Sequence, residues 1–241
     1  MFDNENLSSI SGGLNPRQEE AVNCLEGPLL IMAGAGSGKT RVLTCRIANL
    51  LAHGVSPRNI LAITFTNKAA KEMKSRAEKM IGESAQRVWI STFHSLCARI
   101  LRREIEITGT YRKNYVIYDD GDSKVLIKEC MKELNLDPER FANVVYKISE
   151  AKNNLITAAK YRENLLLNNM TFRSRQTDFE NQVMKIYGLY ERKLIENNAL
   201  DFDDLIFVTV RIFQTFPEVL QKYQSYFRYI LVDEYQDTNC A

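Results

Sequence analysis

Histidine is nearly absent from this chain, with His53 and His94 the only two. Cysteine is sparse and scattered: Cys24, Cys45, Cys97, Cys130 and Cys240 are odd in number and never fall in a C-x-x-C spacing. That distribution gives neither a disulfide framework nor a cysteine–histidine metal site, and it fits reduced thiols in a cytoplasmic protein. No apolar run is long enough to span a bilayer. The opening residues, MFDNENLSSISGG, lack the basic-then-apolar order of a signal peptide and read as a flexible tail over residues 1–13. Net charge is small, +2 from 32 Lys and Arg against 30 Asp and Glu, so bulk charge announces no polyanionic partner. What remains is an ordinary globular composition over 241 residues, enough for one large domain or two small ones.

What is present centres on PLLIMAGAGSGKT at residues 28–40. The apolar run 29–32 reads as a buried strand. Small residues follow, and Lys39-Thr40 open a helical pattern carried by Val42, Leu43, Ile47 and Leu50. Strand, glycine loop and helix in that order make a phosphate-binding loop. Glycines let successive backbone N–H groups converge on an anion, and the helix N-terminus adds partial positive charge. Ala35, Gly36, Ser37 and Gly38 would line the cradle, Lys39 would reach the β and γ phosphates, and the Thr40 hydroxyl would hold Mg²⁺. Ala33 stands where the GxxxxGK[ST] pattern has its first glycine. A glycine-rich turn before a core helix is the alternative.

Upstream, Asn15-Pro16 opens a first helix, and Gln18 falls where a capping-box glutamine sits. Gln18 either caps its own helix or pairs with the donor–acceptor edge of adenine. Downstream, ILAITF at residues 60–65 reads as a strand, and Thr66-Asn67 cap a helix rich in Lys68, Lys71, Lys74, Arg76 and Lys79. A third strand around Trp89 ends at Thr92-Phe93-His94, followed by Arg99, Arg102 and Arg103. Phe65 and Phe93 beside cationic helices suit single-stranded nucleic acid, rings stacking on bases and charges facing phosphates. The alternative makes both rings core and the charges a solvated face.

After a short strand at residues 115–118 the βα alternation stops. Residues 124–198 are helical in pattern, with Phe179, Val183, Ile186, Tyr187, Tyr190 and Leu194 in one apolar stripe. LDFDDL at 200–205 starts another helix, where caps and first-turn acids explain three aspartates better than a metal does. A final strand at 229–232 runs into Asp233-Glu234. An apolar strand ending in Asp-Glu is the acidic partner of a phosphate loop, Asp233 holding Mg²⁺ and Glu234 polarising the attacking water.

These stretches closely resemble the UvrD/PcrA/Rep group of superfamily-1 DNA helicases. LNPRQEEAV, AGAGSGKTRVL, ITFTNKAAKEM, WISTFHS, LDFDDL and LVDEYQDTN occur in order at compatible spacing. The resemblance implies an ATP-dependent helicase using ATP and Mg²⁺, in which Gln18 reads adenine and Arg41 stacks on it. It assigns Phe65, Thr66, Asn67, Thr92, Phe93 and His94 to single-stranded DNA. It also implies an α/β fold: a RecA-like P-loop NTPase domain with a largely parallel sheet (residues 14–118 and 199–241), and an all-helical subdomain inserted at 119–198. Family members continue beyond this point with further catalytic segments and a second RecA-like domain. The chain is therefore expected to be a C-terminally truncated N-terminal portion, nearly inactive in hydrolysis by itself. The expected partners are single-stranded DNA, single-strand/duplex junctions and the remaining helicase domains, with self-association of the fragment and no membrane. A small complete P-loop enzyme and a non-catalytic nucleic-acid-binding module are the rival readings.

Overall fold

The computed structural model describes residues 12–34, 36–169 and 175–238. They form two compact units, one built from residues up to Ser95 together with Gln221–Thr238, the other spanning Leu96–Leu220. Both mix helices with parallel strands.

The first unit contains α1 (Pro16–Asn23), α2 (Lys39–Ala52), β1 (Ile60–Thr64), α3 (Asn67–Ile81), β2 (Trp89–Thr92), the start of α4 (Phe93–Glu104) and β5 (Tyr229–Val232). Its sheet is parallel throughout, in the order β2-β1-β5. Every residue of β1 is buried, as expected of a central parallel strand covered on both faces. Ile60 and Ala62 of β1 meet Val42, Ile47 and Leu50 of α2, Met73 and Ala77 of α3, and Leu231 of β5 in one core. Parallel pairing aligns Thr64 with Thr92 and Ile63 with Val232. The carboxyl ends of all three strands therefore lie on one edge, the position where open α/β sheets bind ligands. Arg46 and Asn49 on α2 reach the end of α1: Arg46 donates to the carbonyl oxygens of Ala21 and Cys24, and Asn49 Nδ2 to that of Val22 at 3.0 Å. Carbonyls that a helix end leaves without partners are thereby satisfied.

The run at residues 29–32, expected to be a buried strand, is not one. It is irregular, with Leu30 70% and Met32 90% exposed and only Ile31 packed against the core. Strand geometry needs a neighbour to complete its hydrogen bonds, and among the described residues β5 pairs with β1 alone. Apolar composition without a ladder does not make a strand.

The second unit holds the rest of α4, then β3 (Val116–Ile117), α5 (Asp120–Glu133), α6 (Phe141–Asn153), α7 (Ala158–Asn169), α8 (Arg175–Glu196), β4 (Ala199–Leu200), α9 (Phe202–Thr215) and the start of α10 (Pro217–Tyr226). The stripe on α8 packs as its periodicity predicts: Val183, Ile186, Tyr187, Tyr190 and Leu194 are buried against Leu126, Cys130, Val144 and Ile148, with Phe179 at the margin. Residues 96–118 and 199–220 belong with the helices for two visible reasons. Strand β4 pairs with β3, and Lys152 of α6 forms ion pairs with Asp201 and Asp204 at the start of α9, at 2.5 and 2.8 Å. Asp201 is the α9 N-cap, in a reciprocal capping box with Asp204, and Asp203 is a first-turn acid.

Candidate nucleotide site and strand-binding turns

The glycine loop is closed by its own polar groups. Gly34 O accepts from Ser37 Oγ at 2.7 Å and from Ser37 N at 3.3 Å. Gly36 and Gly38 take φ of +74° and +87°, a left-handed conformation that glycine adopts without strain. Gly38 is also the residue before α2, so the turn delivers Lys39 and Thr40 directly into the first helical turn. Ala35 lies outside the described residues.

Four of the expected site residues converge here. Thr40 Oγ1 is 3.5 Å from Asp233 Oδ2, across 193 residues of sequence. Lys39 Nζ lies 3.8 Å from Glu234 Oε1 and donates to the carbonyl oxygens of Ala33 and Gly34 at 3.2 and 3.4 Å. The sheet fixes this meeting: Asp233 N–H donates to Ile63 O at 2.9 Å, carrying the β1–β5 ladder one residue past β5. Burial, then the adjacent Glu234 charge, pushes the Asp233 carboxyl above its usual range, while Lys39 and the Thr40 hydroxyl pull it back. Glu234 itself has φ +53° and ψ +50°, a conformation that costs a non-glycine residue about 1–2 kcal/mol. Gln236 Nε2 donates to its carboxylate.

Gln18 caps its own helix, the first of the two readings offered by its position. Its Oε1 accepts from Asn15 N at 2.9 Å while Asn15 Oδ1 accepts from Gln18 N at 2.9 Å, a complete capping box. Its Nε2 donates to Ser37 O at 2.9 Å, joining α1 to the glycine loop. Arg41 is exposed, and its Nη2 donates to Gly12 O at 2.6 Å.

The two strand-to-helix turns sit at the ends of β1 and β2. Phe65 is 39% exposed, which removes it from the core, and its ring meets that of Phe93 edge-on at 5.5 Å. Thr66 caps α3 by accepting from Ala69 N, and Asn67 is exposed beside it. Lys68, Lys71, Lys74, Arg76 and Lys79 are exposed on α3. Thr92 sits at the end of β2. It is buried, its hydroxyl donating to Ser95 Oγ at 2.9 Å and accepting from Ser95 N, so it shapes the turn that carries Phe93 and half-buried His94. Thr64, aligned with it, does likewise by donating to Thr66 O at 3.0 Å. In the second unit Arg102 is committed to structure: it donates to Lys113 O and Tyr115 O and covers the Tyr115 ring.

Sequence reasoning missed the partners of Gln18 and Asp201. The capping-box spacing marked Gln18, but nothing local points to Ser37 O. Lys152, almost completely buried beneath Asp201 and Asp204, stands in no motif.

Residues 14–241 match the family described as the UvrD/REP helicase N-terminal domain. The chain is 50% identical over 237 residues to the ATP-dependent DNA helicase PcrA of Bacillus subtilis, covering 97% of this chain and 31% of that protein. It is 50% identical over 239 residues to PcrA of Staphylococcus aureus and 51% to PcrA of Staphylococcus epidermidis, covering 98% of this chain and 31% of each relative. The chain thus spans about a third of the length of these curated relatives. Among the described residues no helix is long and apolar enough to cross a membrane.

Proposed function

Because the chain belongs to the UvrD/REP helicase family, as its N-terminal domain, we propose that it supplies the ATP-binding and single-strand-binding part of an ATP-dependent DNA helicase acting in repair or replication in the cytoplasm. The observation that carries this reading is the approach of Lys39 and Thr40, from the glycine loop, to Asp233 and Glu234, from the far end of the sequence.

In this reading Lys39 binds the β and γ phosphates, exchanging its long contacts with loop carbonyls for charged oxygens. The Thr40 hydroxyl and the Asp233 carboxylate are oxygen donors of the kind Mg²⁺ requires, and they lie close enough together to share one cation. When bound, Mg²⁺ would neutralise charge developing on the phosphates. Glu234 orients the attacking water and accepts its proton. Gly36, Ser37 and Gly38, with Ala35, direct backbone N–H groups at the phosphates. Gln18 and Arg41 receive the adenine base. Phe65, Thr66, Asn67, Phe93 and His94 meet single-stranded DNA, Thr64 and Thr92 holding the turns in shape.

The first unit is read as RecA-like and the helices of the second as an inserted subdomain contacting single-strand/duplex junctions. The exposed apolar run at 29–32 beside the loop, with Ile230 60% exposed on β5, supports pairing with a further strand: from the remaining helicase domains in the whole protein, or by self-association of these 241 residues alone. Motif matching assigns no transition-state arginine within them, so binding should outlast turnover.

The test is a fluorescent-nucleotide titration of Lys39→Ala, expected to weaken ATP binding by at least about tenfold, or roughly 1.4 kcal/mol. Equal affinity of the two proteins would refute the assignment.

A further inference from the structure

The bonds made by Gln18 leave half of its amide unused, in a fixed orientation. A side-chain amide has two donor hydrogens on nitrogen and two acceptor lone pairs on oxygen. Gln18 Oε1 spends one lone pair on Asn15 N, and Nε2 spends one hydrogen on Ser37 O. Rotating the amide by half a turn would set its NH₂ against the Asn15 N–H and its carbonyl against the Ser37 carbonyl, losing both bonds at once. The two backbone groups therefore decide which end is oxygen and which is nitrogen.

The space that permits this is also specified. A Cβ added at Gly38 would lie 3.1 Å from Gln18 Nε2, so the glycine that opens α2 also makes room for the amide to reach Ser37. At the other end of α1, Arg46 and Asn49 hold its terminal carbonyls against α2. The helix is thus fixed at both ends to the element that carries Lys39 and Thr40.

We propose that Asn15 is a positioning residue for nucleobase selection: its Oδ1 fixes the N-cap, and the N–H so presented, together with Ser37 O, locks the Gln18 amide so that one free acceptor and one free donor face the base. An edge carrying an amino donor beside a ring-nitrogen acceptor, as adenine does, complements that pair. Guanine presents a carbonyl oxygen where adenine has the amino group, and a locked amide cannot turn over to suit it. Selectivity then arises from the bonds that prevent the amide from adapting. The inference rests on the reading that Gln18 contacts the base, and the experiment separates the two.

The ratio of affinities for fluorescent ATP and GTP is measured by titration for the 241-residue chain and its variants, with folding checked by circular dichroism. Gln18→Ala tests the underlying reading: the ATP-over-GTP ratio should collapse, and an unchanged ratio would overturn that reading and the inference with it. Gln18→Glu retains the cap, because a carboxylate still accepts from Asn15 N, but offers no donor; it should lose the ratio while remaining folded. Asn15→Ala keeps the backbone N–H that holds Oε1 but removes the Oδ1 that accepts from Gln18 N and fixes the N-cap in place, so it should lower the ratio by about threefold or more as the amide gains freedom to flip. Asn15→Asp and Asn15→Ser, which also cap, should restore it. Asp119→Ala removes the equivalent capping box of α5 and should leave the ratio as it is. Loss of selectivity in Gln18→Ala but not in Asn15→Ala would overturn the positioning role while leaving the base contact intact. An equal fall in Asp119→Ala would also overturn it, by reducing the effect to general destabilisation.

Discussion

Replacing Lys152 by Met tests whether the second unit is organised around a buried charge balance. The Lys152 ammonium is 1% exposed and lies 2.5 Å from Asp201 and 2.8 Å from Asp204, with the Tyr190 hydroxyl donating to Asp201 at 2.8 Å. Met is close to Lys in volume and unbranched, so the packing change is small and the charge term dominates. Without the cation, Asp201 and Asp204 are left buried with only N–H and O–H donors around them, and one of them must take up a proton or face the other's charge. Removing one partner of a buried ion pair typically costs about 3–5 kcal/mol. For a unit of this size that corresponds to a fall of roughly 10–20 °C in melting temperature. The assay is thermal unfolding followed by circular dichroism at 222 nm. A triple variant, Lys152→Met with Asp201→Asn and Asp204→Asn, replaces the network with neutral groups while Asn still caps α9. It should recover at least about half of the loss, since neutral replacement of a buried network is often tolerated. A single variant that loses less than about 1 kcal/mol, or a triple variant no more stable than the single, would refute the charge-balance account.

Two further predictions concern pH and the DNA strand. Burial and the neighbouring Asp201 charge push Asp204 up to about 7, against the pull of Lys152. A group raised in the folded state contributes stability that is complete below its unfolded value and is lost as pH rises through the folded one. Burial also works against the Asp201 charge, but Lys152 and the bonds from Asp204 N–H and Tyr190 outweigh it and hold Asp201 below its usual range. Its contribution is therefore kept above the ordinary carboxylate value and lost only in stronger acid. Urea midpoints should fall between about pH 4 and pH 7 in the native chain, and fall less steeply in Asp204→Asn, where the raised Asp203, Glu191 and Asp233 still contribute; parallel profiles would remove Asp204 as the main cause. Phe65→Ala should weaken single-stranded DNA binding by about 1–3 kcal/mol without altering the steep salt dependence supplied by the lysines of α3. Unfolding of that variant, with salt-dependent binding intact in the folded fraction, would return Phe65 to the core.

Local signals are legible in this sequence and long-range pairing is not. The β1 run, the Thr66 cap, the α8 stripe and the capping box at Asn15 and Gln18 each declare themselves within a few residues, because the forces that set them act between near neighbours. The meeting of Thr40 with Asp233 was legible only because two motifs that need each other stand in one chain. The run at 29–32 has a strand's composition, but strand formation depends on a neighbour that periodicity cannot supply. Thr92 shows the same limit on a smaller scale: its hydroxyl was free to face a ligand or to cap its own turn, and Ser95 decides for the turn. Lys152 sits in a helix with no motif, and only the folded chain shows the carboxylates that require it.

Glu234 holds a left-handed backbone directly after the last strand of the sheet. Glycine would occupy that conformation without steric cost, and asparagine with little. A lineage drifting under selection for folding alone would therefore be drawn away from glutamate at this position. Reversing that drift requires a demand on the carboxylate itself. In the proposed reading that demand is the attacking water, so stability and turnover pull in opposite directions at a single residue.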